Sequence, residues 1–195
     1  MKIKICGITN TEDATMCEEL GADAIGCVHV HGRGRSLGLM AISDIFASLS
    51  PFTTRVLVCA PASVEDAVTL MDMSDADVLQ TYSLSVEELL ELRSNGIRTI
   101  RAVDPFSLEA EAYEGCADAL LFECGVPGTG TAYDHSSVPM DGHRRVIIAG
   151  GLDPSNVSQV ARLQPYAVDV SSGVERVKGR KDPSLVEGFI RRCRA

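Results

Sequence analysis

A single-domain (β/α)8 barrel, the TIM-barrel architecture, is the fold this sequence predicts across residues 1–195. Three observations carry that prediction. Short, nearly continuous apolar runs alternate with helical patterns from one end of the chain to the other, as strands covered on both faces require. Eight such runs occur, each with a connection, and eight βα units suit a closed barrel better than an open sheet. No linker, low-complexity tract or change in composition divides them. The Gly-x-Gly-x-x-Gly turn of an open dinucleotide-binding sheet is also missing after the first run.

The expected strands are Lys2–Cys6, Ala24–Val30, Arg55–Cys59, Asp77–Gln80, Ile97–Val103, Ala119–Glu123, Arg145–Ala149 and Ala167–Ser171. Between the first two, Thr9-Asn10-Thr11-Glu12 has the spacing of a capping box, with Ala14, Cys17 and Leu20 at helical intervals and Gly21 as the stop. Ser63-Val64-Glu65-Asp66 and Ser85-Val86-Glu87-Glu88 open two further helices. Asp153-Pro154 and Asp182-Pro183 each join a cap to a proline at the first helical position. The last helix carries Leu185, Val186, Phe189, Ile190 and Cys193 as a stripe for docking. Helical signals are weakest in the connections 105–115 and 133–139.

Composition narrows the class of partner. A net charge of −9 argues against nucleic acid, which needs a basic face, and no basic cluster with interleaved aromatics offsets it. No apolar run approaches the ~20 residues that span a bilayer, and the N-terminus lacks a signal peptide's apolar core. The seven cysteines form no Cys-x-x-Cys pair, so free thiols in a reducing cytoplasm are expected.

Barrel chemistry collects at the C-terminal ends of the strands. Those ends bring Cys6, Arg35, Gln80, Arg101, Glu123, Gly150-Gly151 and Ser171-Ser172-Gly173 together. Ala149-Gly150-Gly151 and Ser171-Ser172-Gly173 are strand-to-helix turns rich in backbone N–H groups, suited to a phosphate. Cys6 is either a small core residue or a proton carrier; Lys4, two residues earlier on the same strand face, would favour its thiolate. Glu123 suits either a general acid or a rim carboxylate paired with an arginine. Gly125, Gly128 and Gly130 form either phosphate contacts or a plain turn. Arg33-Gly34-Arg35 suits either a bidentate anion site or a solvated loop. His29-Val30-His31 would place two imidazoles on one strand face, but without a third ligand at metal spacing no metal is expected.

Taken together, these residues resemble the phosphoribosylanthranilate isomerase family of the tryptophan pathway. The resemblance runs from Lys2 to the last helix. It is carried by Lys4-Ile5-Cys6-Gly7-Ile8-Thr9, Gly21-Ala22-Asp23-Ala24-Ile25-Gly26, Gly128-Thr129-Gly130, Ala149-Gly150-Gly151-Leu152, Asp169-Val170-Ser171-Ser172-Gly173-Val174-Glu175 and Gly179-x-Lys181-Asp182. It implies a cofactor-free Amadori rearrangement of an aminoaldose phosphate to an aminoketose phosphate. Cys6 is then the general base, and Glu123 the general acid that opens the furanose. Gly130, Gly150, Gly151, Ser172 and Gly173 would hold the phosphate, Arg35 the anthranilate carboxylate, and Gln80 and Asp169 would contact the rest of the substrate.

Three departures fall at the mouth's substrate side. Glu123 stands where the family has Asp, Arg33-Gly34-Arg35 where it has Ser-Pro-Arg, and Gln80-Thr81-Tyr82-Ser83 where it has Gln-Leu-His-Gly. They leave two rival expectations: a sister isomerase for another phosphosugar, or a non-catalytic barrel that binds a phosphometabolite.

Overall fold

The protein is described here by a computed structural model covering all residues except Leu108 and 125–132. Eight parallel strands close in sequence order: β1 (Lys2–Cys6), β2 (Ala24–His29), β3 (Thr54–Cys59), β4 (Val78–Thr81), β5 (Arg98–Val103), β6 (Ala119–Phe122), β7 (Val146–Ile148) and β8 (Ala167–Val170). The expected strands hold to within two residues at either end. The trimmed C-terminal residues stay close to the sheet, since the N–H of Glu123 donates to Val103 O and that of Ala149 to Phe122 O.

Strand alternation divides the apolar side chains into two sets. Ile3, Ile5, Leu57, Leu79, Phe122 and Val168 point outward and join the cluster shared with the helices. Val56, Val58, Val78, Ile100, Leu121 and Ile147 point inward and fill the barrel. The same alternation aims Lys4 and Cys6, Gln80 and Tyr82, Glu123, Asp169 and Ser171 inward at the strands' C-terminal end.

Helices α1 (Thr11–Glu19), α2 (Leu39–Ala47), α3 (Val64–Ser74), α4 (Val86–Ser94), α5 (Ala110–Tyr113), α6 (Val157–Ala161) and α7 (Pro183–Arg194) cover the sheet, with a short 3-10 turn, His135–Ser137, between β6 and β7. The two connections with the weakest helical signals thus hold the single turn α5 and that 3-10 turn. Ser85 and Glu88 form the expected reciprocal capping box. Asp182 caps α7 at Ser184 and Leu185, and Val186, Phe189 and Ile190 are buried beneath it.

Two helix starts differ from expectation. Asn10, not Thr9, caps α1 by accepting from the Asp13 N–H at 2.8 Å. The Thr9 hydroxyl is instead donated to the Gly179 carbonyl. Asp153 accepts from the N–H groups of Ser155 and Asn156 but closes a turn over 154–156; regular helix begins only at Val157, so Asn156 and not Asp153 stands at its N-cap.

After β8, a 3-10 turn (Ser172–Val174) leads into a small hairpin of β9 (Glu175–Val177) and β10 (Arg180–Lys181). The hairpin places Lys181, with a fully buried side chain, under the seam where β8 meets β1. Its Nζ donates to Cys6 O at 2.7 Å, to Ser171 O at 2.9 Å and to Glu175 Oε1 at 3.1 Å. Its backbone N–H donates to Asp13 Oδ2. Burial pulls the Lys181 ammonium below its ordinary value, and Glu175 opposes that. Removing one member of such a buried set strands the others. Lys181→Met is therefore expected to lose about 3–5 kcal/mol of stability, measured by urea unfolding.

Candidate active site

The inner-facing polar groups meet at the barrel mouth. Lys4 and Asp169 sit opposite each other in the β1–β8 register and pair at 3.0 Å, both buried. Burial disfavours the Lys4 ammonium, yet Asp169 and Cys6, through charge and hydrogen bonding together, outweigh it and hold the group above its ordinary range. Glycine makes this arrangement possible from the neighbouring strand. A Cβ on Gly26 would lie 2.9 Å from Cys6 Sγ and 3.1 Å from Lys4 Cε, so only a bare Cα leaves them room.

Cys6 is 8% exposed. Burial pushes its thiol up, Lys4 pulls it down, and the net direction is upward. The expected help from Lys4 is therefore present but does not by itself outweigh burial. Tyr82 lies in the same chamber, where burial and then Glu123 hold its phenol protonated, with smaller contributions from Cys6 and Asp169. Its O–H donates to Glu123 Oε2 at 2.8 Å. Gln80, 2% exposed, keeps a buried Oε1 with no partner among the described residues.

Arg35 is no solvated loop residue. Its Nε and Nη2 grip Glu175 Oε1 and Oε2 at 2.7 Å each, and the pair is almost buried. The chain folds this way because Gly7, at φ +70°, lies directly beneath; a Cβ there would fall 2.5 Å from Arg35 Cδ and 2.7 Å from Ser171 Oγ. Burial raises the Glu175 carboxyl, but Arg35 and Lys181 together hold it below its usual range. Lys181, Glu175 and Arg35 form one charged relay from the seam to the mouth.

The two glycine turns abut. Gly150 and Gly151 both have positive φ, +84° and +64°. Gly150 O accepts from His135 Nε2 at 2.8 Å, and Gly151 O from Asn156 Nδ2 at 2.8 Å. In a trans peptide the N–H points opposite its carbonyl, so the N–H groups of Gly151 and Leu152 face away from those partners. A Cβ on Gly173 would fall 1.9 Å from Leu152 O, which sets Ser172-Gly173 against that turn.

Other sequence candidates go elsewhere. Gly130 lies outside the described residues, as do Gly125 and Gly128. Arg101 points outward, its guanidinium 4.4 Å over the Tyr113 ring, because it lies one residue out of phase with the inward Ile100 and Ala102. His29 and His31 do not share a strand face: β2 ends at His29, whose Nδ1–H donates to Leu37 O, and His31 sits in the following turn. Among the described residues no three metal-ligating side chains gather. Sequence reasoning missed roles for Tyr82, Glu175, Lys181 and His135. Glu175 and Lys181 stood within quoted motifs, but nothing in the spacing paired them with Arg35 and Cys6.

A thiol and a carboxyl aimed into the mouth of a closed eight-stranded barrel, beside two abutting glycine turns, are the arrangement of a (β/α)8 enzyme. Comparison with known proteins makes the class specific. The family model described as N-(5'phosphoribosyl)anthranilate (PRA) isomerase matches residues 3–192, and the chain belongs to that family. It is 39% identical over 197 residues to the N-(5'-phosphoribosyl)anthranilate isomerase of Nitrosococcus oceani, covering 97% of this chain and 96% of the relative. It is 40% identical over 205 aligned positions to that of Methanothrix thermoacetophila, covering 100% and 98%. The Thermus thermophilus phosphoribosyl anthranilate isomerase crystal structure superposes with a TM-score of 0.89 at 35% identity, covering 98% of each chain. A phosphoribosyl anthranilate isomerase solved in complex with reduced 1-(o-carboxyphenylamino)-1-deoxyribulose 5-phosphate gives 0.87 at 31% identity, covering 100% and 98%.

The balance at Cys6 sets its titration. Peptide-resolved alkylation by iodoacetamide is expected to show a Cys6 midpoint above the ordinary ~8.5 of a free thiol. Lys4→Met removes the cation that favours thiolate and leaves Asp169, which opposes it, so the midpoint moves further up.

Proposed function

We propose that the chain catalyses the isomerisation of N-(5'-phosphoribosyl)anthranilate to the corresponding 1-amino-1-deoxyribulose phosphate, a step of tryptophan biosynthesis in the cytoplasm. The observation that carries this is the joint placement of Cys6, Glu123 and Arg35 around one mouth, with the glycine turns at its far side, in a chain of this family. The turns of Gly150-Gly151 and Ser172-Gly173 hold the phosphate through backbone N–H groups, and the family resemblance adds Gly130 to that role. Arg35, fixed by Glu175, receives the anthranilate carboxylate. Asp169 faces the sugar, and the unpartnered Gln80 Oε1 accepts from a substrate donor.

The reaction divides between two groups. Glu123 gives a proton to the furanose ring oxygen as the C1′–O bond breaks, the anilino nitrogen lone pair forming the C=N bond. Cys6, as thiolate, takes the C2′ proton, and the electrons of that C–H bond form an enolamine. Ketonisation then places a proton on C1′ while the C2′ hydroxyl loses its own, the C1′=C2′ bond giving way to the C2′ carbonyl of the aminoketose. Burial opposes the thiolate, so Lys4 and Lys181, both of which favour it, are part of the apparatus.

Steady-state turnover of phosphoribosylanthranilate tests the assignment. Cys6→Ala and Glu123→Gln are each expected to lower kcat by about 10²- to 10⁴-fold, the usual weight of a general acid or base. Affinity for the reduced carboxyphenylamino-deoxyribulose phosphate, measured by calorimetry, should stay nearly constant in both. Full turnover in either variant removes that residue's role, and a folded parent protein inert toward this substrate overturns the activity.

A further inference from the structure

We propose that Tyr82 is the positioning residue of the Glu123 carboxyl group: its phenol holds Oε2 and thereby directs the transferable proton to the other oxygen. The inference rests on Glu123 being the acid and adds a residue to that assignment. A glutamate side chain has three rotatable bonds, and a reacting group displaced by about 1 Å loses much of its rate. Such a carboxyl needs a tether. Tyr82 supplies one at 2.8 Å from a ring that packs against the barrel's inner cluster, alongside Cys6.

The route between them is open by sequence. Tyr82 follows β4 and Glu123 follows β6, and the strand between them, β5, presents only Ala102 inward at the level of Tyr82. A larger side chain there would stand between phenol and carboxyl. The direction of the hydrogen bond matters too. The phenol stays protonated and donates, so Oε2 accepts both before and after the proton leaves. Once the proton has gone to the ring oxygen, the acceptor is a carboxylate, and charge-assisted hydrogen bonds are stronger than neutral ones. The contact therefore strengthens along the reaction, which is the condition for it to speed the chemical step and not merely to aid binding.

The test is steady-state kinetics on Tyr82→Phe, Glu123→Gln and the double variant, with thermal unfolding of each. Tyr82→Phe removes one oxygen and leaves the ring in place. Its kcat is expected to fall about tenfold with KM within about twofold of the parent, a split that packing damage does not produce. In the Glu123→Gln background the same change should alter kcat less than about twofold, because the tyrosine acts through that carboxyl. Tyr82→His, which keeps an N–H donor, should retain more kcat than Tyr82→Leu. Parent-like kcat in Tyr82→Phe, an equal loss in both backgrounds, a change in KM alone, or equal losses in Tyr82→His and Tyr82→Leu each overturn the inference. Parent-like turnover in Glu123→Gln overturns the acid assignment instead; an inactive Glu123→Gln beside a parent-like Tyr82→Phe removes only the tyrosine's role.

Discussion

The closure of β1 against β8 over a buried ammonium is the constraint on which the rest depends. A barrel of eight strands has one seam where the chain's first strand meets its last. Here Lys181 reaches up from the hairpin after β8 and binds the carbonyls of both neighbours, at Cys6 and Ser171. The cost of burying that charge is offset by Glu175, and Glu175 in turn fixes Arg35. One buried cation thus sets the backbone that carries the thiol and the carboxylate that orients the guanidinium.

A second buried pair works one layer deeper. Lys4 and Asp169 join the same two strands across the inner face, and Lys4 touches the electrostatics of Cys6 as well. Glycine clears the space for both arrangements: Gly26 beside Cys6 and Lys4, Gly7 beneath Arg35. The mouth is therefore held by ionic pairs whose geometry depends on absent side chains. Each pair is mostly shut off from water, so attraction is strong and a broken pair is costly.

Most of the fold was legible in the sequence because strands buried on both faces leave nearly continuous apolar runs that alternate with helical patterns. Counting runs gave the barrel, and the strand ends then brought Cys6, Gln80 and Glu123 to one mouth, while Asp169 came only through the family resemblance and Arg101, read the same way, turns outward. Chain-distant partnerships were not legible. Thr9 looked like a cap, but its hydroxyl is claimed by Gly179, 170 residues away. Arg35 looked free to meet a ligand from a loop, and Glu175, 140 residues on, instead takes two of its nitrogens. Tyr82 read as a departure from a family pattern; its partnership with Glu123 needed the barrel's curvature to bring β4 and β6 within reach.

The contact of Gly173 with the Leu152 carbonyl has a consequence for how this surface can change over time. Two turns that touch backbone to side-chain-free backbone cannot drift separately: a residue larger than Gly at 173 demands a different path for the chain at 152. Insertions or substitutions in either turn would be felt at once in the other. The ends of β4 and β6 are joined instead through side chains, Tyr82 to Glu123, and these loops, with the one after β2, are where this chain departs from its family's pattern. The barrel mouth is thus divided into a sector locked backbone against backbone and a sector held by side-chain partners, which can be exchanged in pairs around the same chemistry.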